Sequence, residues 1–388
     1  MTKSISTFSV VIGLLVLAAC SKNDDAPTSP VTPINVITDV KISPAGLNYQ
    51  DIEIDNTRKR AVYLRENRQI WMGDLNPANG MFVSGQGQNY LMANNAAPAD
   101  LNNLNGPEFG VNANNWAVYY TKQNGATNQL WRSTLNGNSG TEMALTAGNS
   151  LRSSVLASTN PQLQNTRLIY LRKTDSKLMW INENTPEIEN EIPKAVAGVS
   201  GPRSLPNSAD IIFCNSNGQI VLLNTTTNTP VVLTNDAGVK TDAFGWNSPE
   251  YGGALLVCAI IDQNSVAVYK NNGEAFWERI KTITTDPTSN HPYVYSVEPF
   301  VANGGTQSYF SLHQQKDKVT PPLQTDASIW VWGLDGKRKR CDSGTVARRL
   351  DPEFFYGTDE VYLLYNTVVP SSGGNIWEAW SCGTGIKP

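Results

Sequence analysis

Seven times along the chain one pattern recurs: a short polar or proline-bearing opening, an apolar run, a second run ending near an aromatic, then an Asp-Gly or Asn-Gly turn. The copies open at Gln50, Pro107, Pro161, Pro202, Pro249, Glu298 and Pro352. A repeat of roughly 50 residues built from strand and turn signals buries its apolar faces only by stacking on copies of itself. The expectation is an all-β chain forming a seven-bladed β-propeller over residues 34–388.

Aligning the copies produces columns. The second strand carries Val62, Val118, Ile169, Ile212, Val257, Phe310 and Leu363, and the third carries Ile70, Leu130, Leu178, Ile220, Val266, Ile329 and Ile376. Alternation with aromatics such as Trp71, Trp131, Trp180, Trp330 and Trp377 suits strands packed face to face between blades. The last copy stops after "NIWEAWSCGTGIKP", one strand short, while the run Ile34 to Ser43 precedes the first copy unclaimed. That run is expected to supply the outer strand of the last blade, closing the ring and removing an open edge.

The runs "IWVWGLDG" from Ile329 and "QLWRSTLNG" from Gln129 resemble the closing strand and turn of TolB-type (WD40-like) propeller repeats. The family's Ser-Pro-Asp-Gly turn is eroded here to "GVNANN", "QNTR" and "YGTDE". The resemblance spans roughly residues 44–388 and implies a periplasmic or surface binding platform.

The first residues read as an address. Lys3 gives a thin positive start, Phe8 to Leu17 an apolar core too short to span a bilayer, and Leu17-Ala18-Ala19-Cys20 resembles a lipoprotein signal with Cys20 as the lipidated thiol. Residues 1–19 are therefore expected to be a signal peptide. Residues 20–33, polar and Pro-rich, are expected to be a lipid-bearing tether. Ser21 after the cysteine and the pair Asp24-Asp25 look like an outer-membrane, surface-directed signal, so the partner implied there is the membrane. Of the five cysteines, four lie beyond Cys20. Cys214 and Cys258 sit inside apolar runs and read as buried thiols, whereas Cys341 and Cys382 fall near the ring closure, where a disulfide would staple the last blades.

Charge narrows the function. The formal net charge of −4 argues against a nucleic-acid partner, and the run Lys337-Arg338-Lys339-Arg340 reads as a solvated strand edge. No nucleophile elbow, phosphate-binding glycine loop or zinc-ligand spacing occurs. The strongest constellation is the set that opens the innermost strands: Asp51, Glu108, Gln162, Arg203, Glu250, Glu298 and Glu353. Five acids against one arginine at a channel mouth would focus negative potential. Such a ring could bind a glycan or protein ligand, hold a cation, or offer paired carboxylates for glycosidic chemistry. No other cofactor is expected.

The openings around Glu298 and around Asp351 and Glu353 also resemble those of five-bladed arabinanase-type glycosidases, which implies Glu298, Asp351 and Glu353 as acid and base candidates. Propeller-type polysaccharide lyases, by resemblance, would make use of His313 and His291 at the same mouth. The favoured reading is an anchored binding or scaffold propeller. The alternative is a lyase or glycoside hydrolase with Glu298, Glu353 and His313 as its catalytic candidates.

Overall fold

The computed structural model describes residues 39–388 apart from 66, 98–105, 113–114, 125–126, 147–151, 161–164, 173–176, 194–200, 207, 319–325 and 373. The expected lipoprotein signal, Cys20 and the expected tether lie outside the described residues, as does Gln162.

After β1 (Val40–Lys41), the chain runs as successive antiparallel meanders whose turns carry Asn, Asp and Gly. The first is β2 (Gln50–Asp55), β3 (Arg60–Leu64), β4 (Ile70–Asp74) and β5 (Tyr90–Ala93), and the second β6 (Glu108–Asn112), β7 (Asn115–Asn124), β8 (Thr127–Asn136) and β9 (Ser139–Ala144). Next come β10 (Arg152–Asn160), β11 (Asn165–Arg172), β12 (Lys177–Asn182) and β13 (Thr185–Glu191), then β14 (Arg203–Ser204), β15 (Ile211–Cys214), β16 (Ile220–Asn224) and β17 (Thr229–Val232). The fifth holds β18 (Lys240–Ser248), β19 (Ala254–Ile261), β20 (Ser265–Lys270) and β21 (Glu278–Thr284). The sixth holds β22 (Tyr293–Ala302), β23 (Gln307–Gln315), β24 (Ala327–Gly333) and β25 (Arg338–Arg340), and the chain ends with β26 (Arg348–Tyr356), β27 (Val361–Ser371) and β28 (Gly374–Gly383).

Hydrogen bonding groups these strands into five four-stranded sheets and one of eight, in place of seven separate sheets. The eight-stranded sheet arises where outer strands β5 and β9 touch through one parallel pairing, Leu91 with Ser139. Gly140 permits the approach, because a Cβ there would stand 2.2 Å from the Met92 carbonyl oxygen. Ser133 Oγ donates to that same carbonyl at 2.6 Å.

The inner strands β2, β6, β10, β14, β18, β22 and β26 neighbour one another in that order, and the last sheet returns to the first through β26 against β2. The fold is all-β and propeller-like, with inner strands surrounding a central passage. Its cores lie between consecutive sheets: Cys258 and Val268 pack with Phe310 and Trp332, and Ile169 and Trp180 with Phe213 and Leu223. Every member of the second-strand column, from Val62 to Leu363, is buried. The third-strand column is buried as well except at Ile376, which lies near the β27–β28 turn and is half-buried.

Closure follows the expected route. The last sheet has the order β1-β28-β27-β26, with Val40 opposite Ser381 and Lys41 opposite Trp380. The Ile42 N–H donates to the Ala379 carbonyl at 2.9 Å, and the Ala379 N–H donates to Ser43 Oγ at 3.0 Å. The strand is shorter than the run Ile34 to Ser43, whose first residues lie outside the described set. Cys341, just after β25, and Cys382 in β28 form a disulfide that ties the sixth sheet to the last, while Cys214 and Cys258 are buried free thiols.

Candidate functional site

A register shift in several inner strands adjusts which side chains point toward the central passage. Three of the shifts fall between Gln50 and Glu53, between Thr241 and Phe244, and between Leu350 and Glu353, and two more lie in β10 and β22. Inside each of the first three one aspartate takes a left-handed backbone: Asp51 at φ 55°, Asp242 at 52° and Asp351 at 53°. Aspartate tolerates that region better than most residues, and a bulge needs one residue in an unusual conformation.

These carboxyls reach toward neighbouring inner strands. Asp242 Oδ2 accepts the Val297 N–H of β22 at 2.9 Å. Asp51 accepts from the Gly106 N–H just before β6, and its carboxyl shares a hydrogen bond with that of Asp351 from β26. Asn366 of β27 fixes Asp51 further, its Oδ1 accepting the Asp51 N–H at 3.1 Å.

Among the described residues, seven carboxyls therefore cluster at the passage, Asp51, Glu53, Glu108, Asp242, Glu298, Asp351 and Glu353, together with the Arg203 guanidinium of β14. Glu53, Glu298, Asp351 and Glu353 are half-buried, reached by water yet enclosed by protein. Burial pushes the Glu298 carboxyl up to about 8, with Asp351 adding to the rise and Arg203 opposing it. Burial likewise takes Asp242 up to about 7 against the pull of Arg203. Glu53 rises well above the carboxylate range through burial and then the Glu108 and Glu353 charges, and Glu353 through burial, Glu298 and Asp351. Burial opposes the Arg203 charge, but Asp242, Glu298, Glu108 and Asp351 outweigh it and hold the guanidinium protonated. Burial and crowding thus favour the protonated form of these carboxyls. Carboxylate oxygens of Glu53, Asp351 and Glu353 lie within 4.8 Å of one another, so these three are the residues that could hold a cation.

Of the ring expected from the sequence, Asp51, Glu108, Arg203, Glu298 and Glu353 are brought together. Glu250 is not. It lies in a 3-10 turn, Pro249–Tyr251, beyond the end of β18, where its carboxylate accepts from Ser308 and Ser248. Its Pro-Glu pair copies the look of an inner-strand opening but terminates the strand, and Asp242 takes the inward place. Glu53, Asp242 and Asp351 complete the cluster. The repeated Asp-x-Glu of residues 51–53 and 351–353 was the signal available for Glu53.

The histidines do not face the mouth together. His313 is buried in β23, its ring centre 5.4 Å from that of Tyr295, and burial together with His291 drives it down to about 3. His291 is also buried, with Nε2 3.1 Å from Asp326 Oδ2. His313 thus lies deep in the blade, and its Nε2 has no hydrogen-bond partner among the described residues.

No family model matches the sequence, and no curated protein is similar to it by sequence. Solved structures are similar in shape. An oligogalacturonate lyase from Vibrio parahaemolyticus superposes with a TM-score of 0.54 at 13% identity, over 89% of this chain and 93% of that one. The Cps50 (Swd1) β-propeller domain from Myceliophteria thermophila gives 0.52 at 9% identity, over 90% and 99%. Identities this low establish the propeller fold alone.

Proposed function

We propose that this chain is a lipid-anchored binding propeller of the outer membrane that captures a positively charged ligand, such as a basic protein segment or an amino sugar of a glycan, at its central passage. The observation that carries the proposal is the cluster, among the described residues, of seven carboxyls with one arginine on the inner strands. Field lines focused by low-dielectric walls raise the local concentration of cations. The cyclic order of the inner strands supports counting the eight-stranded sheet as two blades, making seven in all.

An oligolysine peptide titrated into the purified protein tests the reading. Binding is expected at low salt, weaker at high salt, and several-fold weaker in Glu298→Gln and Glu353→Gln. Equal affinity in those variants overturns it. The anchor has its own test: Cys20→Ala should move the protein from the membrane fraction to the soluble one, and an unchanged distribution refutes lipidation at Cys20.

A second reading rests on the Glu298 carboxyl, which holds its proton near neutral pH beside Asp351 and Glu353. Such a set suits glycosidic acid–base chemistry on neutral or amino sugars. Release of new reducing ends from a polysaccharide panel, abolished by Glu298→Gln, would establish it.

A further inference from the structure

Away from the passage, a cavity of about 540 Å³ opens between the β2–β5 and β6–β9 meanders. Its walls bring Asp55, Arg58 and Arg60 from the β2–β3 turn against Phe109, Trp116 and Arg132 of the neighbouring meander. That volume is within the range that encloses one or two sugar rings. Three arginines share it, and their hydrogen-bonding states differ. Arg60 Nε donates to Asp74 at 2.9 Å, and Arg132 Nη1 is engaged by Glu183. Arg58 lies with its guanidinium carbon 4.3 Å from the centre of the Trp116 ring, and Nη1 stands 3.6 Å from Asp55 Oδ2, beyond hydrogen-bond reach. Among the described residues its guanidinium makes no hydrogen bond. Stacking fixes the plane of that group and leaves its N–H edge unspent, the presentation that suits a carboxylate or phosphate. Phe109 packs edge-on against Trp116, with ring centres 6.5 Å apart, and so holds the indole in place.

The corresponding cleft between the fifth and sixth sheets is a contrast. There Glu250 reaches across and is consumed by Ser308 and Ser248, so its polar edge is already filled. The cleft at Trp116 instead presents an arginine stacked on an indole.

We infer that the Arg58–Trp116 cleft is a second binding site, separate from the acidic passage, for an anionic sugar. The aromatic wall takes the apolar face of the ring, and Arg58, with Arg60 beside it, takes the acid group. Both carboxylated and phosphorylated sugars present that chemistry.

Saturation-transfer NMR with glucuronate, glucose 6-phosphate and glucose as probes tests this on the full chain. The charged sugars should bind and glucose should not. Arg58→Ala and Trp116→Ala should each weaken binding at least tenfold, and Arg58→Lys, which keeps the charge and loses the fork, should fall between. A melting temperature within a few degrees of the parent confirms that each variant is folded. Preference for glucuronate or for glucose 6-phosphate assigns the acid group, and either result supports the site. Binding of glucose equal to that of the charged sugars, no binding of any probe, or full affinity in Arg58→Ala and Arg58→Lys overturns it. Oligolysine binding should be unaltered in Arg58→Ala, so failure here is distinguishable from failure of the passage.

Discussion

Asp242 and Glu298 each hold a proton that an unfolded chain would have released. Their folded values, about 7 and about 8, exceed the roughly 4 of a free carboxyl, so the native state binds more protons than the unfolded one between those limits. Stability from these groups is therefore present at low pH and lost as pH rises from about 4 to about 8. His313 acts in the other direction: driven down to about 3, it withholds a proton that the unfolded chain accepts below about 6.5, so its contribution is lost as pH falls through that window. The two effects oppose each other below about 6.5, and the carboxyls act alone above it. Thermal melting should show a midpoint that declines from pH 6.5 to 8.5, with a shallower decline in Glu298→Gln; parallel declines would mean Glu298 is ionised throughout. Water reaches the passage, so each group contributes well under the ~1.4 kcal/mol per pH unit of a fully uncompensated shift. A neighbouring glycine offers a steric test. A Cβ on Gly106 would stand 2.2 Å from Asp51 Oδ2 and 2.5 Å from its Cβ, so Gly106→Ala must displace the latch between β2 and β6. A loss of about 1–3 kcal/mol in chemical denaturation is expected, and a neutral result would mean the aspartate swings aside freely.

At the scale of the strand, the apolar columns were legible because period-2 alternation leaves one solution for each face. Val62 through Leu363 are buried as that alternation demands. The inner strands were harder to read, since a bulge inserts a residue and shifts which side chains point inward. Thus Asp242 went unrecognised and Glu250 took its place, although a proline-acid pair marks an inner strand at Pro352-Glu353 and the end of one at Pro249-Glu250. The depth of His313 had no sequence signature, since its place in a strand does not tell how far it is buried. The closing strand was legible from counting, one strand missing at one end and one spare at the other. Its weight can be measured by truncation. Removing residues 21–33 should leave the melting midpoint unchanged, while removing 21–43 takes away β1, the buried Ile42 and the bonds of Ser43 to Ala379. A cost of a few kcal/mol is expected for the longer deletion, and equal midpoints would show that β1 does not carry closure.

Across the whole molecule, the ring is held together by side chains that cross from one sheet to the next and by one covalent link. The Cys341–Cys382 bond joins residues 41 apart in sequence. Loop-closure entropy sets its contribution at about 4 kcal/mol at most, and native strain reduces it. Cys341→Ser with Cys382→Ser should lower the midpoint by several degrees, and reductant should do the same to the parent protein but not to the variant. Insensitivity to both would place the closure energy in the packing alone.

The pairing of β1 with β28 also has a consequence in time. Lys41 and Glu378, linked at 3.1 Å, are separated by 337 positions. A chain emerging from a ribosome or an export pore presents β1 first and must hold it without a partner until the final strand arrives. Blades between them can form from local hairpins, fast and early. The last one cannot be completed until β28 has emerged. Closure is then the slow, late step, and an interrupted chain is left with two raw edges open to pairing with strangers.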